Sequence, residues 1–300
     1  MSNQKSETIM NPFSINDGED AIDRSLIKRT LEGEKSALND LIERHQPFIY
    51  NIAWKMVGDH ANASDLCQEA LIKIISNLAK FNFQSSFRTW AYRIVRNHFL
   101  NDQKKPAFAL ASNFQELGDA LDSIPNVALT EEEQLDRSEE TKEIRLTCLS
   151  GMLLCLNKEQ RMIYIIGEMF RANHTIGSEI MEMSKANFRM KLSKARKDLI
   201  NFMQRKCGLI DQSNPCRCHK KVTVASDAGM INAKSLLQNR QDFTTFREAL
   251  AEDADYLSDD SELKYLELHR SHSFKTNFDK KNFITQLLEN ADWKNRLGLN

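Results

Sequence analysis

The apolar positions of this chain recur mostly at helical spacing. Leu38, Leu41, Ile42, His45, Ile49, Ile52 and Met56 fall three or four residues apart and predict an amphipathic helix. Pro47 lies inside that run; it removes one backbone donor and predicts a kink. The stretch GDHANASD predicts a break, with Ser64 or Asp65 as the cap of the next helix. That helix, DLCQEALIKIISNLAKF, puts Leu66, Ala70, Leu71, Ile74, Ile75 and Leu78 on one face and Asp65, Gln68, Glu69 and Lys73 on the other. After the loop FNFQSS, Ser86 predicts the cap of a helix whose stripe is Phe87, Trp90, Ala91, Ile94, Val95 and His98. Arg88, Tyr92, Arg96 and Asn97 fall off that stripe. With a helical pattern from Ala21, these make one unit over 21–106, behind a polar N-terminus (1–20) expected to be disordered.

Residues 107–143 turn acidic and are expected to be a flexible linker. A second helical unit, 144–206, starts near Ile144 with Leu146, Leu149, Leu153 and Leu156 as its stripe. It ends in a short helix, a tight turn near Glu182 to Ser184, and a longer helix burying Phe188, Leu192, Ala195 and Leu199. A Cys-rich loop (207–221) and an extension (222–300) with weaker amphipathic patterns, such as FTTFREALAEDADYL and KKNFITQLLENADW, complete the chain. Alternating strand patterns are almost absent and only five prolines punctuate 300 residues, so the expected fold class is all-α: two small helical domains plus a helical extension.

Bulk charge says little, because the net value is −1. Its distribution says more: 114–143 is acidic and 185–206 strongly basic, which points to a local polyanion site. In a helix–turn–helix the second helix enters the major groove of duplex DNA. The candidate duplex contacts are Ser184, Lys185, Asn187, Arg189, Lys191, Lys194, Arg196 and Lys197, the bases neutralising phosphates and Asn187 able to read adenine. The first unit adds SSFRTWAYRIVRNHFLND, where large aromatics alternate with arginines. Rings that stack unpaired bases beside a basic groove suit single-stranded DNA, although aromatics at this spacing also serve as core. No Gly-rich phosphate loop, nucleophile–base pair or clustered carboxylates point to an enzyme. The N-terminus has no signal-peptide core and no run is long enough to span a bilayer, so the expectation is a cytoplasmic protein without a membrane.

The order DLCQEALIKI, FNFQSSFRTWAYRIVRNHFLND, acidic linker, EQRMIYIIGEMF and IGSEIMEMSKANFRMKLSKARKDL resembles the extracytoplasmic-function (ECF) sigma factors of bacterial RNA polymerase, over 21–106 and 144–205. The resemblance implies a subunit without chemistry of its own and with no required cofactor, which binds core RNA polymerase and promoter DNA. It assigns Asp65, Gln68 and Glu69 to docking on the polymerase. Phe83, Gln84, Ser85, Ser86, Arg88, Trp90, Arg93 and Asn97 go to the −10 element and melted strand, and the helix from Ser184 to Lys197 goes to the −35 element. Three departures stand out. Asn82, Phe83 and Gln84 replace a usual Arg-Gly-Glu, Glu182 replaces a turn glycine, and Gly177 stands where a large apolar residue is common.

Cys207, Cys216, Cys218 and His219 form C-x8-C-x-C-H, a donor set able to hold zinc or else a set of free or redox-active thiols beside Arg217, Lys220 and Lys221. Cys67, Cys148 and Cys155 read as buried free thiols. The extension 222–300 exceeds what two DNA-reading domains need, and either regulates them in cis or merely stabilises them; a separate anti-sigma protein is the other possible partner. The alternative function is a metal- or redox-responsive helix–turn–helix regulator acting without core polymerase. It leaves the Asp65–Gln68–Glu69 face and the aromatic–arginine helix unexplained.

Overall fold

The second helix organises the molecule. In the computed structural model, which describes residues 11–13, 17–102, 111–250 and 261–278, α2 (Lys35–Val57) follows α1 (Asp17–Leu31), and every α2 residue from His45 to Val57 is buried. A helix buried all round must meet partners all round. α2 continues through Pro47 as one element and ends at Gly58, whose φ of 74° admits the left-handed closing turn. Asp59 caps α3 (His60–Ser76), its carboxylate accepting from Asn62 N at 2.8 Å. The expected break thus shrinks to one turn, and Ser64 and Asp65 lie within the helix instead of capping it.

α4 (Phe87–Asn101) starts at Ser86, whose Oγ accepts from Thr89 N at 3.1 Å. Tyr92, expected off the apolar stripe, is fully buried against Phe13, 4.8 Å between ring centroids. α4 has neighbours on two sides, so one stripe does not exhaust its buried surface. Where described, the acidic segment holds two helices, α5 (Phe114–Ser123) and α6 (Glu131–Asp136). Leu117 is fully buried and Phe114 packs on Phe202 at 5.3 Å, so this stretch is packed rather than a free linker. Residues 107–110 lie outside the described residues.

α7 (Ser138–Cys155) begins before Ile144, and α8 (Lys158–Tyr164) runs into a π-helical turn at Ile165–Met169. Arg161 of α8 is buried; it donates to the carbonyls of Leu153, Leu154 and Leu156 at 2.8 Å and also to Met56 O of α2. One guanidinium therefore ties the end of α7 to the end of α2. α9 (His174–Ile180) and α10 (Lys185–Lys206) follow. The extension then supplies α11 (Cys218–Asp227), β1 (Phe243–Thr245), α12 (Phe246–Ala249), α13 (Ser261–Arg270) and β2 (Ser273–Lys275).

β1 and β2 pair antiparallel, Thr244 opposite Phe274, and β2 lies on α2. One apolar cluster includes residues of α1–α4, α7–α10 and the extension. Among the described residues, no helix is long and apolar enough to cross a membrane. The expected disorder at 1–10 and 14–16 and the amphipathic stretch from Lys280 to Trp293 fall outside the described residues.

Candidate nucleic-acid interface

The loop before α4 is held from α1. Arg24 donates to Phe83 O at 3.1 Å and to Ser85 O at 2.8 Å, and Asp20 both pairs with Arg24 at 2.5 Å and accepts from Phe87 N at 3.0 Å. Phe83 has φ 62°, a left-handed conformation costing roughly 1 kcal/mol in a residue with a Cβ. The loop thus keeps a glycine-like backbone where the resemblance expects glycine. The Phe83 ring is secured by Phe81 at 4.8 Å and the Arg24 guanidinium at 5.6 Å. Asp20 and Arg24 did not emerge from the hydrophobic pattern; their only sequence signal is a favourable charge pair four residues apart.

Along α4, Phe87 is core, whereas Trp90 is half-buried with its ring 5.4 Å from Phe81 and 5.7 Å from Phe87. Gln84 and Asn97 are exposed; Ser85, Ser86, Arg88 and Arg93 are half-buried. These residues share one surface of loop and helix, but part of it is covered. Arg93 Nε donates to Glu179 O at 2.8 Å, Thr89 Oγ1 meets the Glu179 carboxylate at 3.2 Å, and Arg96 pairs with Glu182. Both glutamates belong to α9 and the turn after it.

That turn is the helix–turn–helix hinge. Asn173 caps α9 by accepting from Thr175 N and Ile176 N at 2.9 Å, and Ser184 caps α10 by accepting from Asn187 N at 3.2 Å. Glu182 adopts φ 51°, at a cost of roughly 1 kcal/mol, where glycine is usual. Gly177 is explained by its neighbour: a Cβ there would stand 2.3 Å from Cζ of the fully buried Phe188. The ring from α10 fills the volume that a side chain from α9 would take.

On α10, Ser184, Lys185, Arg189, Lys194 and Lys197 are exposed. Asn187 is half-buried at the first turn. Lys191 pairs with Glu159 at 2.5 Å and Arg196 with Glu168, so two of the expected bases lean toward α8 and the π-helical turn. On α3, Asp65 and Glu69 are exposed and Gln68 half-buried, forming one polar stripe. Glu69 lies 3.2 Å from His98 Nε2, and Lys73 meets the other ring nitrogen at 2.6 Å.

Cys207 and Cys216 pair through their backbones, and Gly208 N donates to Cys216 O at 3.0 Å. Cys218 opens α11. The thiol near all three is Cys148 of α7, whereas His219 has Lys220 and Arg217 as its charged neighbours. Among the described residues, no group of three or more His, Cys, Asp or Glu side chains is placed to hold a metal ion. Burial pushes the Cys218 thiol up to about 12 and Cys148 well above its usual value. Protonated thiols are poor nucleophiles, and Arg217 donates instead to the carbonyls of Gln212 and Cys216.

Comparison with known proteins agrees with this geometry. Residues 41–106 match the family described as sigma-70 region 2. The ECF RNA polymerase sigma factor SigW of Bacillus subtilis (strain 168) is 33% identical over 86 residues, 28% of this chain and 46% of that protein. That match therefore spans about half of the relative. The ECF RNA polymerase sigma-E factor of Escherichia coli (strain K12) is 28% identical over 195 residues, 62% of this chain and 96% of that protein. A region 2 match over 41–106 and a 195-residue alignment with a sigma-E factor lead to one conclusion: the chain carries a sigma-70 region 2 and is similar to the ECF RNA polymerase sigma factors.

Proposed function

We propose that this chain is a dissociable initiation subunit that docks on core RNA polymerase through Asp65, Gln68 and Glu69. It brings α10 to the −35 element and uses the Phe83–Ser86 loop with Arg88, Trp90, Arg93 and Asn97 to capture the melted −10 strand. The observation that carries this reading is the pairing, in one chain, of a capped basic recognition helix with a separate aromatic–arginine surface. Duplex reading alone needs only the first. Strand capture needs stacking rings beside bases that follow the backbone, and Trp90 presents a ring at that boundary. A cytoplasmic site of action follows from the partners, and no group-transfer chemistry is required.

Co-elution with core polymerase tests the docking face. Wild-type chain is expected to co-elute, and Glu69→Lys to lose most of that association, because it reverses the charge of an exposed side chain on that stripe. Equal retention of both chains would remove α3 from the docking face.

A further inference from the structure

We infer that this structure is a latent, closed form of the sigma factor, held shut by a clasp made of residues 237–246 and 272–275 that grips both DNA-reading units at once. The inference rests on the initiation-subunit reading and adds the regulation of its strand-capture site.

Closure is visible at α4. Arg93, proposed for the melted strand, already has a partner: it donates to the Glu179 carbonyl, and its α4 neighbour Arg96 pairs with the Glu182 carboxylate. Glu179 also presents its carboxylate to Thr89. The Glu179 carbonyl and the two glutamate carboxylates occupy donors that phosphates would use. α9 must withdraw before a strand can lie along α4.

The clasp explains why α9 stays. At its start, the Glu143 carboxylate of α7 accepts from the backbone N–H groups of Leu237, Gln238 and Asn239 at 2.7–3.0 Å. The carbonyl of the same Leu237 accepts from His60 Nε2 of α3 at 2.7 Å. In the middle, the fully buried Phe246 and Phe274 fill the space between the units. Phe274 lies 5.9 Å from Phe48 of α2, and Phe246 lies 4.9 Å from Phe170 beyond α8. At its end, Lys275 exchanges two backbone bonds with the Asn51 amide, at 2.8 and 3.0 Å.

His272 makes the same bridge with one ring. Its Nδ1 meets Lys55 Nζ of α2 at 2.7 Å and its Nε2 meets Ser150 Oγ of α7 at 2.8 Å. Both partners are buried, and so is the imidazole. A passive extension could satisfy itself on one unit. Here the loop at 237–239, the two rings and the imidazole each take one partner from α2–α3 and one from α7 or the turn after α8.

The test uses full-length chains, core RNA polymerase and genomic DNA of the source organism, with chain-dependent transcripts counted. Wild type is compared with Phe274→Ser and with His272→Ala, neither of which lies in the docking or DNA-reading surfaces. The inference expects both variants to raise transcript yield at least tenfold at limiting chain. In parallel, backbone hydrogen exchange is followed in wild-type chain, free and bound to core. Protection at 273–275 is expected in the free chain and is expected to be lost on the polymerase. Equal yields from wild type and well-folded variants, or protection at 273–275 that persists on core during initiation, would overturn the clasp while leaving the sigma-factor reading in place. No association of any of these chains with core would remove the sigma-factor reading first and the clasp with it. Should the substituted chains fail to fold, the exchange measurement on wild type decides alone.

Discussion

Gly177→Ala is the sharpest local probe of the helix–turn–helix. The added Cβ would stand 2.3 Å from Phe188 Cζ and 2.7 Å from both Cε atoms, where ordinary contacts begin near 3.4 Å. Relief needs the ring to move by about 1 Å, the gap between those distances. The ring is fully buried, so it has no open space to enter. Overpacking of this kind costs about 1–3 kcal/mol. Against it, alanine gains about 1 kcal/mol over glycine inside a helix. The net expectation is a destabilisation of up to about 2 kcal/mol, with α9 pushed away from α10. Chemical denaturation reads the first effect and −35 duplex binding the second. Phe188→Leu should relieve the clash, so the double variant should be more stable than the sum of the single effects implies. A Gly177→Ala chain as stable as wild type, with no coupling to Phe188→Leu, would refute the packing argument.

Three further outcomes are expected. Arg24→Ala removes both bonds that hold the Phe83–Ser85 backbone and should cost about 1–2 kcal/mol; initiation should fall while co-elution with core persists, and unchanged initiation would show that the loop needs no brace. Burial pulls the imidazoles of His60 and His269 down to about 4 and lowers His272 well below its usual value, so the native state holds them neutral while the unfolded chain protonates near 6.5. Stability should therefore fall as pH drops from about 6.5 toward 4, by up to ~3 kcal/mol for the fully buried His269; thermal unfolding should show the slope and His269→Leu should flatten it. His219→Ala should leave the zinc content of purified chain unchanged by elemental analysis, because among the described residues no group of three or more His, Cys, Asp or Glu side chains is placed to hold a metal ion; a drop would restore His219 as a ligand.

The recognition helix was legible in the sequence because its partners are local. Phe188, Leu192, Ala195 and Leu199 pack on α8 and α9, which immediately precede it, and all four are buried as their spacing implies. The same holds for the α3 stripe and for Ser86 as a cap. Tyr92 was misplaced because α4 carries a second buried face, set by Phe13 and α9, which one stripe cannot encode. The acidic segment looked like a tether because of its composition. Its helix starts were nonetheless written in Thr130 and Glu133, which form a reciprocal capping box, and in Asn113, which accepts from Glu116 N.

The extension's role was the least legible feature. Two three-residue strands carry no measurable period, and His272, Phe274 and Lys275 acquire meaning only from Asn51, Lys55 and Ser150, all far away in the chain. In hindsight the polar Asn51 and Lys55 inside the otherwise apolar run IYNIAWKMV were the signal. Buried polar groups on a helix need partners, and the Asn51 bond to Pro47 O within α2 leaves the Asn51 oxygen and the Lys55 ammonium for β2 and His272 to meet. Arg93 likewise looked ready for DNA, and its engagement with Glu179 of α9 required the three-dimensional arrangement.

The most direct measurement is transcription initiation by core RNA polymerase on genomic DNA, with and without this chain, as wild type and as Phe274→Ser. The account predicts start sites that appear only when the chain is added, that share two short upstream elements, and that are stronger with the variant. Identical start sites with and without either form of the chain would contradict it.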